Sequence, residues 1–404
     1  MKKALQVALG IVTSVGGYLE IGSVTTAVQG GAAFRFQLLW AIALGTLCLI
    51  FLVEMSGRLA AVSKHTLIEA IRERFGFPFF SLVLVVVSLV TLAVLASEIG
   101  GVSLAIQMAT GISYPWWAIV VAFLVWLTLW KGTFGIIENG VSLLGLVTVV
   151  FLVGAVKLHP SWHQVGAGLL PSLPRNDRTH YWFIAVSILG ACITPYLFIF
   201  YSAGAVEDKW DDSYLGVNRA TATLGMTFGG VLSAAVLVVA AMVFPPRGIQ
   251  IDQVEQLPLM LTTSLGRWGF ILFVLSLGIA CLGAALEIGL ALAYLMAQGF
   301  GWNWGEDEKE SNAARFSLTY TVAVLIAALP IALGVDPLKL TVLTMAITAA
   351  SLPFMVVPFL FLMNDEEYLG EHTNGWLSNS VVIFAIALAF VLAVVSIPLE
   401  IFGS

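Results

Sequence analysis

The chain has 404 residues, of which 59% are hydrophobic and 10% charged, with a mean hydropathy of +0.98 and a formal charge of −6. Soluble domains carry about 25% charged residues, so a water-soluble globular protein is excluded. Lipid demands that every backbone amide be satisfied internally, and apolar runs of about 20 residues select helices over a closed barrel.

Eleven apolar spans follow one another at roughly 5–31, 36–57, 78–108, 114–130, 136–157, 181–206, 216–244, 264–298, 314–334, 338–362 and 377–402. Lys2-Lys3 leads into the first without a small-residue cleavage site, so no cleaved signal peptide is expected. The longest loops run from Lys157 to His180 and from Phe244 to Arg267, and the polar run from Glu306 to Asn312 reads as a solvated connector. No soluble domain is expected beside this one transmembrane unit, 1–404. Cys48, Cys192 and Cys281 lie inside apolar runs and read as small buried hydrophobes. Eleven of the 18 Lys and Arg residues fall on the side of the N-terminus, which orients that end to the cytoplasm across an inner (plasma) membrane.

Two spans are interrupted. In the first, Val15-Gly16-Gly17-Tyr18-Leu19-Glu20-Ile21-Gly22-Ser23-Val24-Thr25-Thr26 puts an acid, glycines and hydroxyls at mid-span. In the sixth, Gly190-Ala191-Cys192-Ile193-Thr194-Pro195-Tyr196 puts a proline there. Proline removes one helical hydrogen bond and clashes with the preceding turn, so the carbonyls from Gly190 to Ile193, that of Ala191 among them, need another partner. Breaks in the first and sixth spans suit an all-α membrane protein of two inverted five-helix repeats (about 5–157 and 181–362) with an extra helix (377–402), a LeuT/APC-type fold. Such transporters hold their solute at the midplane, between the discontinuous helices.

The stretch from Gly16 to Gly76 resembles the NRAMP divalent-metal transporters, with Glu20-Ile21-Gly22-Ser23 standing where that family carries a DPGN motif. Leu38-Leu39-Trp40, Met55-Ser56-Gly57-Arg58-Leu59 and Glu69-Ala70-Ile71-Arg72-Glu73-Arg74 are similar to its second span and following loop. Thr194-Pro195-Tyr196 with Tyr201-Ser202-Ala203 resembles its MPH motif, and Ser351 to Pro358 its LPF-containing stretch. The resemblance implies that Glu20 replaces the metal-binding aspartate, Ser23 the asparagine, Thr194 the methionine and Met345 the glutamine, with Tyr196 and Tyr201 in place of two histidines. Leu95 stands for an aspartate of the proton route, while Glu98 persists; Glu138 also falls on a family glutamate.

With Glu20, Ser23 and Thr194 as metal ligands, the expected side-chain donors are hard oxygens, which suit Mg²⁺, Ca²⁺ or Mn²⁺. The substrate site is therefore read as Glu20, Ser23, Ala191, Thr194, Tyr196 and Met345, with Glu98, Glu138 and Glu287 as coupling or gating candidates. The favoured function is a secondary transporter or facilitator of a divalent ion, Mg²⁺ or Mn²⁺. A monovalent or small organic cation held against Tyr18 or Tyr196 stands second, and a receptor or structural membrane protein third. No P-loop, HExxH, nucleophile elbow or Rossmann fingerprint is present, so an enzyme is not expected. Nothing calls for a cofactor or nucleic acid, and a monomer is the expected unit. His65, His159, His163, His180 and His372 all fall in expected loops, which favours transport without proton coupling. Glu54 and Arg58 have the i,i+4 spacing of a helix ion pair.

Overall fold

The structure is a computed structural model, described for residues 18–131, 146–172, 174, 177–249, 251, 256–305 and 312–402. The regular elements among these residues are helices. The principal ones are α1 (Ile21–Phe34), α2 (Leu39–Ser63), α3 (Leu67–Thr110), α4 (Tyr114–Lys131), α5 (Val150–Lys157), α6 (Arg178–Cys192) and α7 (Pro195–Glu207). They continue with α8 (Leu215–Val243), α9 (Arg267–Phe300), α10 (Ala314–Ala332), α11 (Pro337–Met363) and α12 (Trp376–Phe402).

Nine helical stretches of the described residues are long and apolar enough to cross a membrane, α6 and α7 together forming one of them. They match nine of the eleven expected spans. The first and fifth spans lie partly outside the described residues, and so does Glu138.

Local sequence sets where these helices begin and end. Thr66 caps α3 by accepting from the Glu69 amide at 3.3 Å, while the Glu69 carboxylate accepts from the Thr66 amide at 3.1 Å. Asp336 caps α11 through the Leu338 amide at 2.9 Å, with Pro337 at the first helical position, where its missing N–H costs nothing. Gly111 and Gly301 close α3 and α9 in the left-handed region, with φ of +75° and +67°. Within α3, Gly76 leaves helical geometry just before Pro78, so a short helical lead-in precedes the membrane-crossing part.

The packing places α3 against α9 and α11, α8 against α1 and α2, and α6 against α11, α12 and α1. Outer faces carry large apolar side chains such as Ile119, Leu325 and Phe384, as lipid contact requires. Trp116, Trp268 and Trp376 are exposed at helix ends, the place of an interfacial aromatic belt. The Glu54–Arg58 pair forms as its spacing foretold, at 3.0 Å, and Arg58 also donates to Asn374 at 2.8 Å. Three of the loop assignments are corrected: His163 lies in a short helix (Trp162–Ala167), His372 ends a helical turn (Gly370–His372), and His180 lies in the first turn of α6, where its Nδ1 is 3.0 Å from Glu400 of α12.

Candidate cation site at two helix breaks

The first break lies at Leu19 and Glu20. Helix α1 starts only at Ile21, and Glu20 precedes it in extended geometry, φ −117° and ψ 177°. The opening of a helix leaves its first amides without intrahelical partners. One of them, on Ile21, donates to Glu98 Oε2 at 3.3 Å. Ser23 ties the break together: its hydroxyl accepts from the Glu20 amide at 3.0 Å and donates to the carbonyls of Glu20 and Tyr18 at 3.0 and 3.2 Å. Most of its hydrogen-bonding capacity is thus spent on backbone, so Ser23 sets the shape of the turn.

The sixth span breaks at Ile193 and Thr194. Helix α6 ends at Cys192, Thr194 is extended at φ −95° and ψ 125°, and α7 resumes at Pro195. Pro195 breaks the span, as its mid-span position suggested, rather than kinking a continuous helix. It occupies the first position of a new one, where its fixed φ is an asset. Having no N–H, it cannot reach back four residues to Ala191, so the Ala191 carbonyl loses its helical donor by covalent necessity. Thr194 sits at the helix cap yet makes no side-chain capping bond, and its buried hydroxyl has no partner.

The two breaks meet. Tyr196, in the first turn of α7, donates from its hydroxyl to Glu20 Oε2 at 2.9 Å. The other carboxylate oxygens, Glu20 Oε1 and Glu98 Oε1, are buried without a donor of their own, and the two carboxyl groups interact with each other. Helix α11 supplies a third wall. A β-carbon on Gly22 would lie 2.5 Å from Met345 Cε, 2.6 Å from Met345 Sδ and 2.9 Å from Glu20 Oε1, so the bare glycine is what lets thioether and carboxylate converge. Gly190 plays the matching part on α6, where a β-carbon would collide with the Met345 carbonyl.

Glu20, Ser23, Thr194 and Tyr196 are each 1% exposed, Ala191 3% and Met345 0%, so the site is sealed from both faces in this conformation. No ion pair among the described residues reaches Glu20 or Glu98. Two carboxyl groups without a cationic side chain require protons or a bound cation to offset them. No group of three His, Cys, Asp or Glu side chains that could cage a metal occurs among the described residues. An ion held here would draw on carboxylate, hydroxyl, thioether, backbone carbonyl and water.

The structure therefore brings Glu20 and Tyr196 into a hydrogen bond and sets Met345 beside Gly22, with Ser23, Ala191 and Thr194 on the flanking breaks. Glu98 differs most from expectation. The sequence suggests a lone acid apart from a single-carboxylate site, but Glu98 bonds to the first amide of α1 and interacts electrostatically with Glu20. The signal was present in Gly100-Gly101. A β-carbon on Gly101 would meet Cys281 Sγ at 2.5 Å and Ile21 Cδ1 at 2.7 Å, so small residues seat α3 against α1 and α9. Glu287, on α9, is 7% exposed and acts electrostatically on Tyr196. Tyr18 turns elsewhere, bonding Thr46 at 2.6 Å. The expected all-oxygen donor set thus gains one sulfur neighbour.

Comparison with known proteins agrees with this architecture. The chain is 27% identical over 367 residues to the divalent metal cation transporter MntH of Deinococcus radiodurans, spanning 87% of this chain and 80% of the relative. It is 26% identical over 373 residues to the protein of the same name from Pectobacterium carotovorum, spanning 89% and 86%. Its fold matches the crystal structure of the Eremococcus coleocola manganese transporter with a TM-score of 0.83 at 21% identity, covering 98% of this chain and 87% of that one. A nucleobase-cation-symport-1 family transporter in a closed conformation matches with a TM-score of 0.61 at 14% identity, covering 98% and 92%. The fold is therefore the all-α inverted-repeat transporter fold with broken first and sixth helices. The sequence profile of the Nramp family, described as natural resistance-associated macrophage protein-like, matches residues 10–398, and the chain belongs to that family.

Proposed function

We propose that this protein is a secondary transporter or facilitator that moves a divalent metal ion, Mn²⁺ or Mg²⁺, across the plasma membrane by alternating access. The cytoplasmic side is the one that carries the N-terminus, and the carrying unit is one monomer of two inverted repeats. The reading rests above all on Glu20, whose buried carboxyl meets that of Glu98 where the two breaks come together, with no cationic side chain paired to either. Buried carboxyls of this kind are costly unless something binds them. Ala191, Thr194, Tyr196 and Met345 complete the proposed substrate site; Ser23 shapes it, and Glu98 and Glu287 adjust its charge. The names of its relatives support a divalent cargo.

The test is uptake of Mn²⁺ and Mg²⁺ into proteoliposomes by the wild type and by Glu20→Gln. The substitution keeps size and hydrogen-bonding capacity but removes the charge. Uptake should fall to the level of empty vesicles while the protein remains monodisperse. Undiminished uptake by the variant sinks the proposal.

A further inference from the structure

The stretch Met55-Ser56-Gly57-Arg58 near the end of α2 takes no part in the cation site, yet three of its residues hold other elements. Glu54, one turn earlier, receives two hydrogen bonds from the Arg58 guanidinium, at 3.1 and 3.0 Å. The remaining donors of Arg58 leave the helix. They reach the His372 carbonyl and, at 2.8 Å, Asn374 Oδ1, both in the segment 364–375 that joins α11 to α12. Met55 Sδ accepts from Asn374 at 3.7 Å. That segment is a compact strap. Asn364 and Asn379 exchange amide bonds of 3.2 and 2.7 Å, Asn374 donates to Asn379 at 2.8 Å, and the Asn374 amide returns to the Met363 carbonyl at 2.9 Å. Arg74 of α3 holds the start of the strap, 2.7 Å from Asp365.

Gly57 faces α7 and α8. A β-carbon there would collide with Asn218 Oδ1 and lie 2.7 Å from Tyr201 Cε1, and Asn218 Nδ2 donates to the Glu54 carbonyl at 2.8 Å. One turn of α2 therefore touches both the half-helix that carries Tyr196 and the strap that trails the helix carrying Met345. The joint is also reversible. Glu54 stays with Arg58 whether or not the strap is in place, so release frees a carbonyl and an amide but strands no buried charge.

We infer that Arg58 is a positioning residue that clamps the strap to α2 while Tyr201 is seated on Gly57, and so holds this face, cytoplasmic in the proposed orientation, closed beneath the cation site. The inference rests on the transporter reading and adds the contact that holds one of its gates.

The experiment reads the gate at a place the clamp does not touch. Tyr294 of α9 donates to Glu207 at the end of α7, at 2.8 Å, in the closed form. Spin labels on Lys209→Cys and Asn303→Cys, just past those two helices, report their spacing in a Cys48→Ala, Cys192→Ala, Cys281→Ala background. Asn374→Ala removes one grip on the strap and keeps the Glu54–Arg58 pair, whereas Arg58→Gln removes the guanidinium altogether. The wider spacing should gain population about fivefold in Asn374→Ala, as the loss of one hydrogen bond implies, and more in Arg58→Gln. Thr321→Val removes the acceptor of Trp126, 3.1 Å away on α4, and controls for a general loss of stability; it should leave the spacing as in the wild type. An unchanged distribution in Asn374→Ala overturns the inference, and so does an equal change in Thr321→Val. If the spacing widens as expected while no form takes up Mn²⁺ or Mg²⁺ into proteoliposomes, the transport reading fails and the clamp stands.

Discussion

Replacing Gly22 with alanine disturbs the fold and the site by amounts of the same order, which two assays read separately. The added methyl would lie 2.5 to 2.9 Å from Met345 Cε, Met345 Sδ and Glu20 Oε1, where ordinary contact begins at 3.4 Å. Both side chains must withdraw, by about 1 Å at the tightest point, to restore van der Waals separation. Overpacking of this kind costs about 1–3 kcal/mol. Alanine returns about 0.5–1 kcal/mol through its better helix propensity, so the net loss of stability stays within about 2.5 kcal/mol. The site suffers as well, since it loses the placement of its carboxylate. Interactions with a charged partner are worth about 1.5–3 kcal/mol, equivalent to about 10- to 100-fold in affinity. Purified Gly22→Ala should thus unfold near the wild-type temperature, while half-saturation of Mn²⁺ uptake shifts upward by that factor. A concentration dependence within twofold of the wild type would falsify the convergence of Met345 and Glu20 on one ion.

Two further outcomes follow from the same contacts. Tyr196→Phe deletes the donor 2.9 Å from Glu20 Oε2 without changing shape. It should lower thermal stability and weaken Mn²⁺ uptake several-fold, and identical melting and uptake would show that this bond holds nothing in place. Uptake driven by a Mn²⁺ gradient should proceed without matching acidification of the vesicle interior, read by a trapped pH dye. A fall in luminal pH in proportion to the metal taken up would instead assign Glu98 a proton-carrying step.

The parts of the site legible in the sequence are those whose oddity is local. Glu20 interrupts an apolar run, and Pro195 cannot continue a helix, so both breaks announce themselves within a few residues. Glu54 and Arg58 are likewise read from spacing alone. Glu98 was visible as an intramembrane acid, but its partner is the amide of Ile21, 77 residues away, and only the seating of α3 on α1 reveals it. Met345 sits in an apolar helix where another methionine would look the same. Its resemblance to a family glutamine drew attention to it, and the bare Gly22 shows what it faces. Pro195 marks the break in the sixth span that the sequence already implies. A proline in mid-span signals a kink or a fresh start equally well, and the extended backbone at Thr194 decides for the latter.

Breaks and close-packed glycines are two halves of one device. A helix that ends at Cys192 frees the Ala191 carbonyl, but that oxygen becomes part of a site only if α11 comes near, and Gly190 against the Met345 carbonyl brings it there. The same holds at the other break, where Gly22 admits the side chains that face Glu20. Backbone geometry therefore brings the two breaks and α11 together, and on the proposed reading a few side chains select the cation. This explains how the fold can match the manganese transporter with a TM-score of 0.83 when sequence identity is 21%. Substituting glutamate for the family's aspartate, or methionine for its glutamine, leaves the half-helices and their contacts in place. On the proposed reading, such changes act on the cation that is chosen and leave the architecture that moves it unaltered.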